Sequence, residues 1–307
     1  MRHITDRIMM IRPASFQFNE ETALSNVFQT AGNYDNEVIK AKAIEEFDSM
    51  VASLRSKGIT IEVIQDTVKP RKPDAIFPNN WISFHNDGTV VTYPMYAENR
   101  RLERREDIID TLSEKYKINK RYTFDYYEEE DRFLEGTGSM LFDRVDNIVY
   151  ACLSPRTDVV LLEKYSVLMG ARKIAFRSVD REGKDIYHTN VMMALGVNFC
   201  VLCLESIKNE VEKKEILQSL EDTGKLVVDI SYDQMEDFAG NMLQVANADG
   251  KTFLVLSQTA YDSLTTEQVN VLSGLTNVLP IPIKTIETLG GGSVRCMMAE
   301  IFLPVKQ

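Results

Sequence analysis

The chain has 307 residues, of which 44% are hydrophobic and 26% charged, the balance of an ordinary globular protein. Its net charge of −11 argues against a nucleic acid or an anionic membrane surface as the partner. No apolar run approaches the roughly 18 residues that cross a bilayer. The N-terminal segment lacks the apolar core of a secretory signal, so we expect a cytoplasmic protein.

The first predicted elements are a short strand, a long helix and a second strand. Residues 8–13 form an apolar run that is typical of a strand. Residues 36–58 have the pattern of a helix that ends at a glycine, and the apolar segment 59–64 then predicts another strand.

Five later segments repeat one pattern, in which a small or Asn-containing turn precedes an apolar strand, a polar turn and a second strand. They begin at residues 80, 138, 190, 241 and 293, so successive starts lie 58, 52, 51 and 52 residues apart. The Asn-Asp-Gly at 86–88 and the Ala-Asp-Gly at 248–250 are typical of hairpin turns. The intervals predict a helix and a further strand at 98–116 and 118–124, 158–170 and 171–179, 209–224 and 225–231, and 264–274 and 277–283.

Each unit is thus strand–strand–helix–strand, and the predicted fold is α/β with about five such units. The fifth copy has only one predicted strand, which ends near Pro304. We therefore expect the N-terminal strand at 8–13 to pair with it. This pairing would close a ring and remove exposed sheet edges. We therefore expect a single domain over residues 1–307. The alternative is an open mixed sheet whose segments resemble one another by chance.

The chain has four cysteines, and two of them form a Cys-x-x-Cys motif at Cys200 and Cys203. This motif lies in an apolar segment that reads as a buried strand, where residues three apart point to opposite faces. We interpret both as core residues, because free cysteine packs like a small hydrophobic side chain. With three histidines and no second such motif, we expect no metal site.

In a ring of repeats, equivalent turns meet at one end of the axis, and several of these turns carry chemically useful side chains. Asn80, Glu135 and His188 each lie at the turn of a unit, and Cys296 follows three glycines at 290–292. Singly, each has an ordinary structural explanation, as a core cysteine, a satisfied histidine or a solvated acid. Their matched positions favour an active site. The glycine run lacks the spacing of a nucleotide-binding loop and precedes a strand, so we expect no nucleotide cofactor.

Five motifs in this order resemble the arginine deiminase, amidinotransferase and dimethylargininase group, the guanidine-modifying or pentein superfamily. The most similar subgroup is the citrulline-utilisation hydrolases. The resemblance covers nearly the whole chain and implies a five-unit α/β propeller. The motifs are Phe77-Pro-Asn-Asn80, Glu135-Gly-Thr-Gly138, Leu153-Ser-Pro-Arg-Thr157, His188-Thr-Asn190 and Gly290-Gly-Gly-Ser-Val-Arg-Cys296.

The resemblance implies a role for each matched residue. Cys296 is similar to the family nucleophile, His188 to its general acid and base, and Glu135 to a carboxylate that contacts the substrate nitrogens. Arg156 resembles an arginine that grips the substrate α-carboxylate, a task that suits the guanidinium fork. Two glycines of the run, Gly291 and Gly292, would let the backbone approach the substrate.

The sequence departs from this family at Asn80 and Asn190, where relatives usually carry aspartates that clamp a cationic guanidinium. A buried carboxylate facing a neutral urea would be an unpaired charge, whereas an amide can both donate to it and accept from it. The asparagine pair therefore favours a ureido substrate such as citrulline.

We expect a covalent mechanism without a metal or organic cofactor, acting on a small amino acid. With citrulline, ornithine would leave and a carbamoyl-thioester would be hydrolysed to ammonia and carbon dioxide. The alternatives are an amidinotransferase, an arginine deiminase or a dimethylarginine dimethylaminohydrolase, and, from another class, a non-catalytic binding protein on the same fold. The oligomeric state stays open, a homo-oligomer included.

Overall fold

The computed structural model describes residues 3–23, 26, 28–29 and 35–306, and within them fifteen strands form five three-stranded sheets. The strands are β1 (Arg7–Arg12), β2 (Thr60–Gln65), β3 (Ile82–Phe84), β4 (Thr89–Thr92), β5 (Lys120–Thr123), β6 (Leu141–Asp143), β7 (Ile148–Cys152), β8 (Arg172–Phe176), β9 (Met193–Leu195), β10 (Phe199–Leu202), β11 (Leu226–Asp229), β12 (Leu243–Ala246), β13 (Thr252–Ser257), β14 (Asn277–Ile281) and β15 (Ala299–Glu300).

The helices comprise long ones that cover the sheets and short ones at the turns. They are α1 (Glu20–Ala23), α2 (Asn36–Ser56), α3 (Glu98–Arg101), α4 (Glu106–Lys115), α5 (Gly136–Ser139), α6 (Val159–Met169), α7 (Thr189–Met192), α8 (Glu210–Asp222), α9 (Tyr232–Glu236), α10 (Gln258–Ser263), α11 (Thr266–Leu275) and α12 (Lys284–Gly290). Three 3₁₀ helices occupy Pro78–Asn80, Asp125–Glu130 and Leu204–Ser206.

All five sheets share one topology. In β3-β4-β5 the first two strands form an antiparallel hairpin and the third is parallel to the second, with a helix in the connection. The sheets β6-β7-β8, β9-β10-β11 and β12-β13-β14 repeat it. The predicted five-unit α/β propeller is therefore confirmed.

The fifth sheet combines the two ends of the chain. Its order is β15-β1-β2, with β1 antiparallel to β15 and parallel to β2. The register pairs Ile8 with Glu300 and Met9 with Ala299. The N-terminal strand thus occupies the position that the second hairpin strand has in the other units.

Local sequence explains where the covering helices begin and end. The Asp158 side chain accepts hydrogen bonds from the backbone at the start of α6, and Gly170 ends this helix at φ 63°, in the left-handed region. Thr265 and Gln268 form a capping box at the start of α11. The inward side of α2 carries buried residues every three or four positions, among them Ile39, Phe47 and Leu54, which pack in one core cluster with β1.

Two features differ from the sequence-based expectation. The single helix predicted over 98–116 is two helices, because the Arg100 side chain turns inward to Glu103 and the chain bends between α3 and α4. Cys203 lies just beyond β10 rather than within it, although both Cys200 and Cys203 are fully buried. The short helices at the turns are below the length that apolar spacing can reveal.

The first strands of the units lie along the ring axis. β15 contacts β3, β6 contacts β9, and β9 contacts β12, while α5 joins the first unit to the second. Each first strand starts at the turn that carries the candidate site residues and runs to the opposite end of the ring. The turns of different units are thereby brought together at one end.

Candidate active site

Hydrogen bonds from two threonine side chains connect the turns of neighbouring units. The Thr189 hydroxyl donates to the backbone oxygen of Ser139 at 2.6 Å, and the Thr137 hydroxyl donates to that of Asn79 at 3.2 Å. Gly138 lies between the units, since a β-carbon there would come within 2.4 Å of Asn80 Nδ2 and 2.8 Å of the His188 ring. This glycine allows the two side chains to approach.

His188 and Glu135 share a buried hydrogen bond. The imidazole Nε2 lies 2.7 Å from Glu135 Oε2, and the backbone N–H of Tyr96 donates to Oε1 at 2.9 Å. The Arg156 guanidinium is 3.6 Å from the same carboxylate. Burial alone would raise the pKa of Glu135, but Arg156 and His188 outweigh it and lower that pKa to about 2. Glu135 is therefore ionised at neutral pH.

The environment of His188 favours a neutral ring. Burial lowers the pKa of His188 from its ordinary value, and the Glu135 carboxylate opposes this effect only in part. With Nε2 bonded to Glu135, the other ring nitrogen, Nδ1, lies beside Gly138, and His188 lines the cavity that contains Cys296. A neutral imidazole held in this way can accept a proton at Nδ1 and return it.

Cys296 lies in the turn that leads to β15, with its side chain almost buried at 6% exposure. Two side-chain amides surround its sulfur: Asn241 Nδ2 is 3.2 Å from Sγ and Asn190 Nδ2 is 3.4 Å from it. Hydrogen-bond donors at a sulfur atom stabilise its anionic form. The arrangement therefore suits a thiolate.

Sequence reasoning missed the contact of Asn241 with the nucleophile candidate. Its amide orientation is fixed, because Oδ1 accepts from the backbone N–H of Arg295 at 3.1 Å and Nδ2 also donates to the backbone oxygen of Asn190 at 3.0 Å. The signal was present, since Asn241 heads the fourth repeat as Asn80 and Asn190 head the first and third.

Arg100 and Asp74 are two further site residues that the sequence did not reveal. The Arg100 guanidinium donates to both carboxylate oxygens of Glu103 at 2.9 Å and, through Nη1, to Asn80 Oδ1 at 2.9 Å. Asp74 is 3.9 Å from Arg100 and accepts from Asn19 at 2.7 Å. Burial raises the pKa of Asp74, with Arg100 acting in the opposite direction.

Arg156 lies on the same side of the site as these residues. Its side chain is 2% exposed, and the guanidinium lies 4.8 Å from the centre of the Tyr187 ring and 5.8 Å from that of Tyr96. Two aromatic faces and the Glu135 carboxylate thus hold the cation in place.

The glycine run before Cys296 makes room for protein side chains. A β-carbon on Gly292 would lie 2.9 Å from the Phe77 ring, and one on Gly291, at φ 61°, would lie 2.6 Å from Asn26 Nδ2. The backbone oxygen of Gly291 accepts from the Tyr187 hydroxyl at 3.0 Å. Close packing explains these two glycines without a ligand.

The candidate residues surround a narrow cavity of about 20 Å³ that is lined by Asn80, Arg100, Arg156, His188 and Cys296, together with the glycine run. A wider cleft of about 980 Å³ shares Arg156 and Tyr187 with it. A substrate that enters through the cleft must displace side chains to reach the sulfur.

In the part of the chain that the structure describes, no group of three or more His, Cys, Asp or Glu side chains could hold a metal ion. No helix among residues 3–23 and 35–306 is long and apolar enough to cross a membrane.

Comparison with solved structures shows which proteins share this architecture. The N-terminal domain of ArgZ, covalently bound to a reaction intermediate, is 15% identical and matches 97% of this chain and 98% of its own with a TM-score of 0.75. ArgZ is an arginine dihydrolase from the ornithine-ammonia cycle in cyanobacteria, and its N-terminal domain with bound substrate is similar to this chain as well. A dimethylarginine dimethylaminohydrolase adduct with S-methyl-L-thiocitrulline is 16% identical, with a TM-score of 0.67 over 97% of this chain and 99% of the other.

A family comparison covers almost the whole sequence. The model of the family described as N,N dimethylarginine dimethylhydrolase, eukaryotic, matches residues 12–303. A search of curated proteins found no match. The solved neighbours establish the pentein fold, and the family match spans all five units, including the turns at Asn80, Glu135, His188 and Cys296. The chain therefore belongs to the family described as N,N dimethylarginine dimethylhydrolase, eukaryotic.

Proposed function

We propose that the chain hydrolyses the ureido group of an amino acid, with citrulline as its preferred substrate and ornithine, ammonia and carbon dioxide as products. The observation that carries the proposal is the unused hydrogen-bonding capacity beside the catalytic groups. Among the residues that the structure describes, Asn80 Nδ2 is a buried donor without a partner, and Asn190 Oδ1 is a buried acceptor without one. These two amides therefore offer a ligand one donor and one acceptor.

A ureido group matches this pair, because its oxygen accepts and its terminal NH2 donates. The orientation of Asn80 is fixed by the bond from Arg100 to its Oδ1, and that of Asn190 by the bond from its Nδ2 to Cys296. A guanidinium carries donors only, so it would leave Asn80 Nδ2 facing another donor. An unmatched buried donor costs about 1–3 kcal/mol, enough to discriminate between the two substrates.

The proposed reaction proceeds in two steps. The Cys296 sulfur bonds to the ureido carbon, the bond from that carbon to the δ-nitrogen of ornithine breaks, and His188 delivers the thiol proton to the departing amine. A carbamoyl-thioester remains on the enzyme. His188 then takes a proton from water, the water oxygen attacks the carbonyl carbon, and the sulfur leaves. The carbamate released decomposes to ammonia and carbon dioxide.

The charged groups of the site support recognition of an amino acid. Arg156 is buried, and its planar guanidinium is suited to an α-carboxylate. Glu135 keeps His188 in the tautomer with a proton on Nε2, which leaves Nδ1 free for proton transfer. Asn190 and Asn241 stabilise the thiolate.

A second candidate function is hydrolysis of a guanidino group, as in arginine or methylarginine. Asp74 favours it, because its Oδ1 is a buried carboxylate oxygen in the cavity that contains Cys296 and has no hydrogen-bond partner within the described part of the chain. A guanidinium within reach of this oxygen would gain an ion pair. The protonated form of Asp74, which burial favours, would instead donate to a neutral ligand.

A substrate panel tests the proposal. Purified protein is incubated with citrulline, arginine, asymmetric dimethylarginine and agmatine, and ornithine, ammonia and methylamines are quantified. We expect ornithine and ammonia from citrulline at the highest kcat/KM, and Cys296→Ala as the matched control should give neither. Preferential release of dimethylamine or of ammonia from the guanidino compounds would instead establish the second candidate.

A further inference from the structure

Arg144 lies at the end of the ring opposite Cys296 and is buried, with no anionic partner among residues 3–23, 26, 28–29 and 35–306. It directly follows β6, the strand that begins just beyond the Glu135 turn. His85 and Phe302 likewise lie after the ends of β3 and β15, which are the first strands of their units. Three residues of strand span about 10 Å. Arg144, His85 and Phe302 thus form a cluster at the far end, contributed by three units.

The guanidinium of Arg144 is stacked between rings but has few hydrogen bonds. The side chain is 8% exposed, and its guanidinium carbon lies 3.9 Å from the centre of the Phe302 ring and 5.0 Å from that of Phe142. Within the described residues its one hydrogen bond joins Nη1 to His85 Nδ1 at 3.4 Å. Ring faces attract the cation but accept none of its in-plane N–H groups.

The acids nearest this cluster are engaged elsewhere. Glu300 accepts from Arg295 at 2.9 Å, and Asp143 pairs with Lys225 at 2.5 Å. No carboxylate of the described residues lies within 4.0 Å of Arg144. A buried cation without a counter-charge is costly, so an anion supplied from outside would stabilise it.

His85 is not an anionic partner for Arg144, but it fixes the position of the guanidinium. Burial lowers the pKa of His85 well below its ordinary value, so the ring is neutral and Nδ1 accepts from Arg144. Nε2 then donates to Ser83 at 2.9 Å, and Ser83 is 2.6 Å from the Tyr93 hydroxyl. This chain fixes the side of Arg144 that faces His85 and leaves the remaining donors for a ligand.

A cavity of about 250 Å³ adjoins Arg144 and is also lined by His85, Asn86 and Asn147. Asp87 and Asp143 line it as well. The Asp87 carboxylate is turned back onto the backbone and hydroxyl of Thr89 at 3.0 and 2.9 Å, and that of Asp143 pairs with Lys225. We propose that this cavity is a second binding site, in which Arg144 holds the oxygens of a small carboxylate or phosphate. It is separate from the catalytic mouth and uses none of its residues.

Thermal unfolding at constant ionic strength tests the proposal, with inorganic phosphate and acetate as separate probes. A ligand at about ten times its Kd should raise the Tm of the wild-type protein by roughly 2–4 °C in a saturable manner. Arg144→Met, which keeps the stacked apolar stem, should abolish the rise. Arg156→Met, which removes the cation of the catalytic mouth, should retain it, and Arg121→Met is the exposed control.

The relative effects of phosphate and acetate identify the kind of oxyanion that the site prefers. A rise that survives in Arg144→Met, or one that Arg156→Met removes, would overturn the proposal, as would the absence of a saturable rise. If Arg144→Met fails to fold, selenate bound to crystals of the wild-type protein decides: anomalous density beside Arg144 is expected, and density confined to the catalytic mouth contradicts the site.

Discussion

The side-chain amide of Asn241 donates a hydrogen bond to the sulfur of Cys296, with 3.2 Å between the two atoms, while its oxygen is fixed by the backbone N–H of Arg295. A donor that cannot rotate away stabilises the thiolate more than the thiol. A hydrogen bond to a charged group contributes about 1.5–3 kcal/mol. Asn241→Ala should therefore lower the rate of Cys296 alkylation by iodoacetamide near pH 7 by roughly 10- to 100-fold.

Asn198 is exposed in the adjoining unit, and Asn198→Ala is the matched control. In this variant Cys296 should be alkylated at the wild-type rate. In Asn241→Asp the alkylation of Cys296 should be slower still, because a carboxylate next to the sulfur repels the thiolate. An unchanged rate in both Asn241 variants would contradict the thiolate role.

Alkylation should also be selective among the four cysteines. Burial raises the pKa of Cys152 to about 12 and that of Cys203 to about 11, and it raises the pKa of Cys200 as well. Peptide mapping after brief treatment near neutral pH should therefore find the label on Cys296. Label on Cys203 at a comparable rate would show that the Cys-x-x-Cys pair is reactive after all.

Cys296→Ser should abolish turnover, with a loss of more than about a thousandfold, while the circular dichroism spectrum stays unchanged, because serine offers no accessible anion at pH 7. Cys200→Ala should instead lower the free energy of unfolding by about 1 kcal/mol, as truncation of a buried side chain does, and leave kcat intact. Activity of the serine variant within tenfold of the parent would remove Cys296 from the mechanism.

The pH profile should report the interaction of His188 with Glu135. Burial lowers the pKa of His188, so the midpoint of the acidic limb of kcat/KM should lie below about 6.5, the ordinary pKa of a histidine. The Glu135 carboxylate favours the charged ring, so removing it must lower that pKa further. In Glu135→Gln we expect the limb at lower pH and a smaller maximum. A limb that moves to higher pH would contradict the assignment to His188.

Substrate charge is tested by Asn80→Asp combined with Asn190→Asp. At position 80 a carboxylate would keep its contact with Arg100 but would offer a second acceptor where the amide now donates. At position 190 a carboxylate would pair with a guanidinium and would face a urea without a counter-charge, so the ratio of kcat/KM for citrulline to that for arginine should fall by roughly a hundredfold. Absolute rates should fall for both substrates, because Asn190 Nδ2 contacts Cys296 and a carboxylate there destabilises the thiolate. A ratio that does not change would refute the charge argument.

Periodicity predicted the repeating part of the fold and failed where tertiary contacts decide the local structure. The hairpin at 80–95 and the helix at 158–170 have the apolar spacing and the glycine or cap residues that specify their ends. At the break between α3 and α4, Arg100 turns inward to Glu103 and also reaches Asn80, and no local pattern encodes the contact with Asn80. For the same reason Arg100 and Asp74 were not recognised, whereas Asn241 could have been aligned with Asn80 and Asn190.

The pairing of β1 with β15 also has a consequence for the order of events during synthesis. A ribosome delivers β1 first and β15 last, so the N-terminal strand must wait for almost the whole chain before its second neighbour exists. Cys296 emerges only shortly before β15. A polypeptide interrupted in its last unit would therefore lack both the proposed nucleophile and the strand that completes the fifth sheet, so that unfinished molecules are exposed to quality control and are expected to be inactive.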